Sequence, residues 1–222
     1  GCALGVVQNG DLVYGRGYGM ANLEHGLALD TRSVFRMGSV GKQFTAAVVA
    51  LLALDGPVDL DADIRAYLPE LPDFGTPVTV RQLLHHTSGY RDYLTLVDLA
   101  GARAEDYYDD PELYLLLTRQ EELNFPPGSD QLYSNSGYFL LGQLVLRVTG
   151  RSLAQVARER IFDPLGMQTT HYHDHWRRVV PGRATGYAPA EWYRPGPGGA
   201  EVRDDVWPGY VVGSWADGRD PF

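Results

Sequence analysis

The chain has 222 residues, 44% of them apolar and 11% aromatic, enough for one large domain with a buried core and too much for a disordered chain. A formal net charge of −9, with Arg177-Arg178 the one adjacent pair of cations, argues against nucleic acid as a main partner. No apolar run approaches the length of a membrane span, and the single cysteine, Cys2, excludes an intrachain disulfide.

In chain order, the first predicted element is a β-hairpin. Ala3 to Gln8 and Asp11 to Tyr14 flank Asn9-Gly10, a pair that accepts the positive φ values of a type I′ turn. A loop is expected from there through Asp30. Phe44, Ala47, Val48, Leu51 and Leu52 then form a helical stripe that stops at Asp55-Gly56, which puts Ser39 at or just before that helix's first turn. Thr79-Val80-Arg81-Gln82 has the capping-box pattern and opens a short helix. Residues 92–123 read as helical pieces broken at Asp110-Pro111, and residues 124–128 as a turn-rich loop. A strongly apolar helix is expected from about Gly137 to Thr149, closed by Gly150. Ser152 to Gln155 is a second capping box, opening a helix that runs to about Arg160. From residue 188 the composition shifts to Gly, Pro, Trp and Asp without periodicity, and no internal repeat or second domain is evident.

The most informative residue is Lys42. Of the nineteen Lys and Arg residues it is the one lysine, three places after Ser39. Arginine stays charged at any working pH, whereas a desolvated lysine can lose its proton and act as a base. Serine and lysine at i, i+3 share a helix face, the arrangement that activates a hydroxyl as a nucleophile. The bland alternative is a surface lysine that follows a serine. Tyr133-Ser134-Asn135 offers the complementary groups: a phenol that can relay protons beside an ammonium, and an amide that can hold both Lys42 and a substrate carbonyl. Taken alone, the tripeptide reads first as a loop tyrosine with an asparagine N-cap for the helix that follows.

Together these stretches resemble the penicillin-recognising serine hydrolases: class C β-lactamases, D-alanyl-D-alanine carboxypeptidases and related esterases. The resemblance is carried, in order, by Phe35 to Lys42, Val78 to Gly89, Leu132 to Tyr138 and Ile161 to Met167, with Tyr14 to Gly19 at the start. It covers residues 3 to about 187 and implies an α/β (α+β) fold with a helical cluster beside an antiparallel sheet. It implies Ser39 as the acylated nucleophile and Lys42 as its base, or as the group that tunes that base. Tyr133 would be the proton relay, Asn135 the holder of Lys42 and of the substrate carbonyl, and the Ser39 N–H an oxyanion donor. No cofactor is implied, and the partner is a small-molecule or peptide substrate: a β-lactam, a D-amino-acid peptide or a simple ester.

The chain departs from the family in one respect. A Lys or His followed two places on by Gly, the family's third motif, is absent after residue 187. The sheet is therefore expected to be incomplete, with residues 1–187 as the hydrolase portion and 188–222 as a divergent or truncated segment. Two alternatives follow: a peptidoglycan- or ligand-binding relative without turnover, and an inactive truncated product. The chain starts at Gly1 and enters a strand at once, with no signal pattern, so localisation is open.

Competing features are weaker. His171, His173 and His175 alternate around Asp174 and suit zinc chemically, but the spacing matches no helical zinc motif, and a solvated polar strand is expected. The resemblance makes His85-His86-Thr87-Ser88-Gly89 a helix-to-loop junction that shapes one wall of the cleft. Asp59, Asp61 and Asp63 lack the glycine and distal glutamate of a calcium loop and are expected to be caps. No G-x-S-x-G elbow occurs, and the tryptophans are scattered.

Overall fold

The computed structural model describes residues 1–101, 109–174, 179–189 and 210–212. The described chain divides into two compact units: Gly1–Met37 with the described residues after 178, and Gly38–Asp174.

The first unit is built from short antiparallel pairs. Strands β1 (Cys2–Gln8) and β2 (Asp11–Tyr18) form the predicted hairpin, with Asn9 at φ 54° and Gly10 at φ 90°, as the two-residue turn demands. Register runs from Cys2 opposite Tyr18 to Gln8 opposite Asp11, with an irregularity between Val6 and Val7. Gly17 is obligatory, because a Cβ there would lie 2.0 Å from the Leu29 carbonyl oxygen. Leu4, Val6, Val7, Leu12 and Val13 remain exposed on this hairpin, whose strands pair only with each other among the described residues.

The expected loop to Asp30 contains a second pair, β3 (Met20–Asn22) and β4 (Leu27–Ala28). The segment 182–187 is laced to this region. The Val34 N–H donates to the Gly182 carbonyl, the Ala184 N–H to Val34 and the Thr185 N–H to Ala21. The Tyr187 hydroxyl accepts the Leu23 N–H at 2.9 Å. Strands β5 (Tyr187–Pro189) and β6 (Tyr210–Val212) close a third antiparallel pair.

The second unit is helical. A 3-10 turn (Gly38–Gly41) leads into α1 (Lys42–Asp55), which ends where Gly56 takes φ 99° and donates back to Ala53. Asp63 caps a 3-10 turn (Ile64–Ala66), and Asp61 pairs with Arg81 through two bonds of 2.7 and 2.9 Å, so this acidic run supplies caps and ion pairs. Both sequence-read capping boxes form, at α2 (Val80–Leu84) and α6 (Leu153–Ala157). The latter continues into a wider π-type turn over Arg158–Phe162. Between them lie α3 (Tyr93–Leu99) and α4 (Asp110–Thr118). The Asp110-Pro111 break proves to be a helix start, with Pro in the first turn and Asp109 in a capping box with Glu112.

Helix α5 (Asn135–Thr149) begins two residues before the expected Gly137 and is closed by Gly150 at φ 69°. It is the axis of the core. Phe139, Leu140, Leu141, Leu144 and Val145 bury their side chains against a cluster that includes Val48, Val49 and Leu52 of α1, Val80 and Leu83 of α2, and Ile161 and Phe162. Each such side chain contributes ~1.5–3 kcal/mol of transfer free energy. Gly137 lets α5 approach α2, since a Cβ there would sit 3.2 Å from the Leu83 carbonyl oxygen.

Candidate active site

All four sequence-predicted site residues lie in the helical unit, and their side chains meet. Ser39, in the 3-10 turn, and Lys42, the first residue of α1, occupy one face as the i, i+3 spacing requires. Lys42 Nζ donates to Ser39 Oγ at 3.2 Å and to Asn135 Oδ1 at 2.8 Å. Ser39 Oγ and the Tyr133 hydroxyl are 2.6 Å apart, and Tyr133 donates to Asn135 Oδ1 at 3.3 Å. The ammonium also lies over the Tyr133 and Tyr138 rings, 4.9 and 5.5 Å from their centroids. Either hydroxyl can be the donor in the Ser39–Tyr133 contact. Ser39 and Tyr133 are exposed and Lys42 is half-buried.

Asp92 organises this constellation and was missed by sequence reasoning. One carboxylate oxygen caps α3, accepting the N–H groups of Leu94 (3.0 Å) and Thr95 (3.4 Å). The other accepts the Asn135 N–H, the first amide of α5, and Asn135 Nδ2 at 3.0 Å. One negative charge thus sits at two helix N-termini, where unpaired amides and the helix dipoles favour it. It also settles the Asn135 amide. A carboxylate only accepts and an ammonium only donates, so Nδ2 must face Asp92 and Oδ1 must face Lys42. One Nδ2 hydrogen is therefore committed, and only the other remains for a substrate carbonyl. Ser136 strengthens the same junction, donating to the Arg91 carbonyl at 2.6 Å and accepting the Tyr93 N–H at 2.9 Å. The legible signal was an aspartate just ahead of Tyr93-Leu94, an N-cap pattern; its second role depends on tertiary contact.

The His85-His86 stretch is a helix-to-loop junction, with His85 capping α2 and His86 in the left-handed region at φ 59°. Gly89 needs φ 79°, and a Cβ there would meet the Phe125 carbonyl oxygen at 2.3 Å. The His171 and His173 rings are 6.3 Å apart, and His175 lies outside the described residues. Among the described residues no group of three His, Cys, Asp or Glu side chains is placed to hold a metal ion. An open groove of about 410 Å³ lined by Phe74, Thr76 and residues 121–127 contains none of the site residues. No helix among the described residues is long and apolar enough to cross a membrane.

Comparison with known proteins places the chain in a family. The sequence model of the family described as Beta-lactamase matches residues 1–215. A D-aminopeptidase of Gluconobacter oxydans (strain 621H) is 36% identical over 168 residues, 76% of this chain and 31% of that protein. The D-aminopeptidase of Brucella canis is 38% identical over 169 residues, 76% of this chain and 32% of its own length. Among solved structures, D-amino acid amidase from Ochrobactrum anthropi SV3, complexed with D-phenylalanine, superposes with a TM-score of 0.71 at 27% identity. It covers 92% of this chain and 56% of the amidase. The octameric penicillin-binding protein homologue from Pyrococcus abyssi gives a TM-score of 0.73 at 26% identity, covering 98% of this chain and 50% of that one. The chain thus spans about a third of the curated relatives and about half of these solved ones. With the family match running from the opening hairpin past β6, this chain belongs to the β-lactamase family, alongside its penicillin-binding-protein-like members.

Proposed function

We propose that the protein hydrolyses an amide or ester by acyl transfer to Ser39, and that amides of D-amino acids are its substrate class. The observation that carries the reading is the meeting of Ser39 Oγ, Lys42 Nζ, the Tyr133 hydroxyl and Asn135 Oδ1 within 3.3 Å of their neighbours. The D-aminopeptidase and D-amino acid amidase names among the relatives support the substrate class.

Ser39 Oγ attacks the carbonyl carbon while its proton passes to the Tyr133–Lys42 pair, whose two heteroatoms lie 2.6 and 3.2 Å away. The pair reacts in the form holding one proton fewer than a phenol with an ammonium (phenolate beside ammonium, or phenol beside amine). The resulting oxyanion faces the first turn of α1, where amides have no partner within the helix and the dipole is positive. The carbon–nitrogen bond then breaks, and Tyr133 returns the proton to the leaving amine. Water enters along the same relay, adds to the acyl ester, gives its proton to the Tyr133–Lys42 pair and frees Ser39. Asn135 keeps Lys42 turned toward the serine throughout, held by Asp92.

The test is release of ammonia from D-phenylalanine amide and L-phenylalanine amide, and of p-nitrophenolate from p-nitrophenyl acetate, by the protein and by Ser39→Ala. Serine-dependent hydrolysis that favours the D-amide is expected. Hydrolysis that survives Ser39→Ala would remove the nucleophile, and a preference for the L-amide would remove the substrate class.

A further inference from the structure

Tyr133 is exposed and precedes α5, so its hydroxyl reaches Ser39 only if the loop carrying it is pinned. Both amides that flank it are bonded to one residue. The Leu132 N–H donates to the His86 carbonyl at 3.0 Å, and the Ser134 N–H donates to His86 Nδ1 at 3.2 Å. The imidazole also lies against the Tyr133 ring, centroids 4.6 Å apart and tilted 33°, and against Tyr138 at 5.2 Å. His86 makes these contacts from a left-handed backbone at φ 59°, uncommon for a residue with a Cβ. Strain of this kind, of order 1–3 kcal/mol, persists only where surrounding contacts impose it.

We propose that neutral His86 is the positioning residue that sets the Tyr133 hydroxyl against Ser39, and that its protonation turns the site off on the acid side. The inference rests on reading Ser39 as the nucleophile. Nδ1 accepts from a backbone N–H, so it must be the bare nitrogen; in the imidazolium both nitrogens carry hydrogen and the acceptor is gone. The groups that face the ring are Lys42 from α1, Tyr133 from its loop, Tyr138 from α5, Asp92 ahead of α3 and the neighbouring His85. Lys42 already lies over the two tyrosine rings that flank His86, so an imidazolium would be a second cation at the same aromatic pair. Burial of the ring, then the charge of Lys42, hold the His86 pKa below the ordinary histidine value and keep the acceptor form in place at neutral pH.

His86→Asn separates this from a purely structural role. Asparagine tolerates the left-handed backbone, and its side-chain carbonyl stands where Nδ1 stood but does not titrate. In the unmodified protein the Ser134 amide proton, followed by ¹H–¹⁵N NMR, is expected to shift with the titration of His86. The rate of Ser39 acylation by p-nitrophenyl acetate is expected to fall about tenfold per pH unit below that midpoint. In His86→Asn the amide should stay flat and the acid limb should recede, with the neutral-pH rate largely kept; His86→Ala should lose rate at every pH. An acid limb unchanged in His86→Asn, or a Ser134 amide indifferent to the His86 titration, overturns the proposal. Failure of acylation at every pH in the unmodified protein would remove the nucleophile, while the amide titration would still decide whether His86 sets the Tyr133 loop.

Discussion

Asp92→Asn tests the polar scaffold behind the site with almost no change in volume. The carboxylate serves donors on both sides, the Leu94 and Thr95 amides on one and Asn135 N–H and Nδ2 on the other. An asparagine has one carbonyl and must choose. If it keeps the α3 cap, its NH₂ faces two donors, each worth ~1–3 kcal/mol when left without an acceptor. If it turns to Asn135, the cap is lost, at ~1 kcal/mol. The cheaper orientation bounds the cost, about 1–2 kcal/mol with Asn135 half-buried. For a chain of this size that is a fall of ~2–8 °C in Tm.

The same substitution should also slow acylation. The Asn135 amide is free to flip, and Lys42 loses its 2.8 Å acceptor. A hydrogen bond to a charged group is worth ~1.5–3 kcal/mol, or roughly 10- to 100-fold in rate. Circular dichroism melting and the p-nitrophenyl acetate burst measure the two effects, with Asp98→Asn, an exposed carboxylate on the same helix, as the control. A double-mutant cycle between Asp92→Ala and Asn135→Ala should return a coupling of ~1.5 kcal/mol or more. Unchanged melting and an unchanged burst in Asp92→Asn would refute the reasoning.

Lys42→Arg keeps a cation but replaces a compact amine with a guanidinium that cannot take a proton; acylation should drop ~10²- to 10⁴-fold with the far-ultraviolet spectrum intact. Leu140→Ala opens a cavity at a fully buried position on α5 and should cost ~2–5 kcal/mol in urea unfolding, with the slope m unchanged. The folded pKa of His86 lies below its unfolded value, so its contribution to stability is complete above the ordinary histidine pKa of ~6.5 and is lost as pH falls through the folded pKa. Melting curves across that window should show a loss in the unmodified protein that His86→Asn lacks.

Local chemistry was readable from the chain wherever a short-range rule applies. Asn9-Gly10 fixed the hairpin, Thr79/Gln82 and Ser152/Gln155 fixed two helix starts, and Gly56 and Gly150 fixed two ends. The i, i+3 spacing put Ser39 and Lys42 on one face, and the resemblance brought Tyr133 and Asn135 to them. What escaped depends on tertiary contact or on very short pairing. Strands β3 and β4 are three and two residues long, too short to show alternation. Asp92 escaped because its bonds to Asn135 span 43 residues. His86 reads as a junction because its ring meets Tyr133 only after α2 and the loop before α5 have packed.

Peptide mapping after brief exposure to an activated ester, with the acyl group located by mass, tests the acyl-transfer account most directly. The account predicts one adduct, on the peptide carrying Ser39, absent from Ser39→Ala and sharply reduced in Lys42→Arg. An adduct on another side chain, or one that forms equally well in Ser39→Ala, would contradict it.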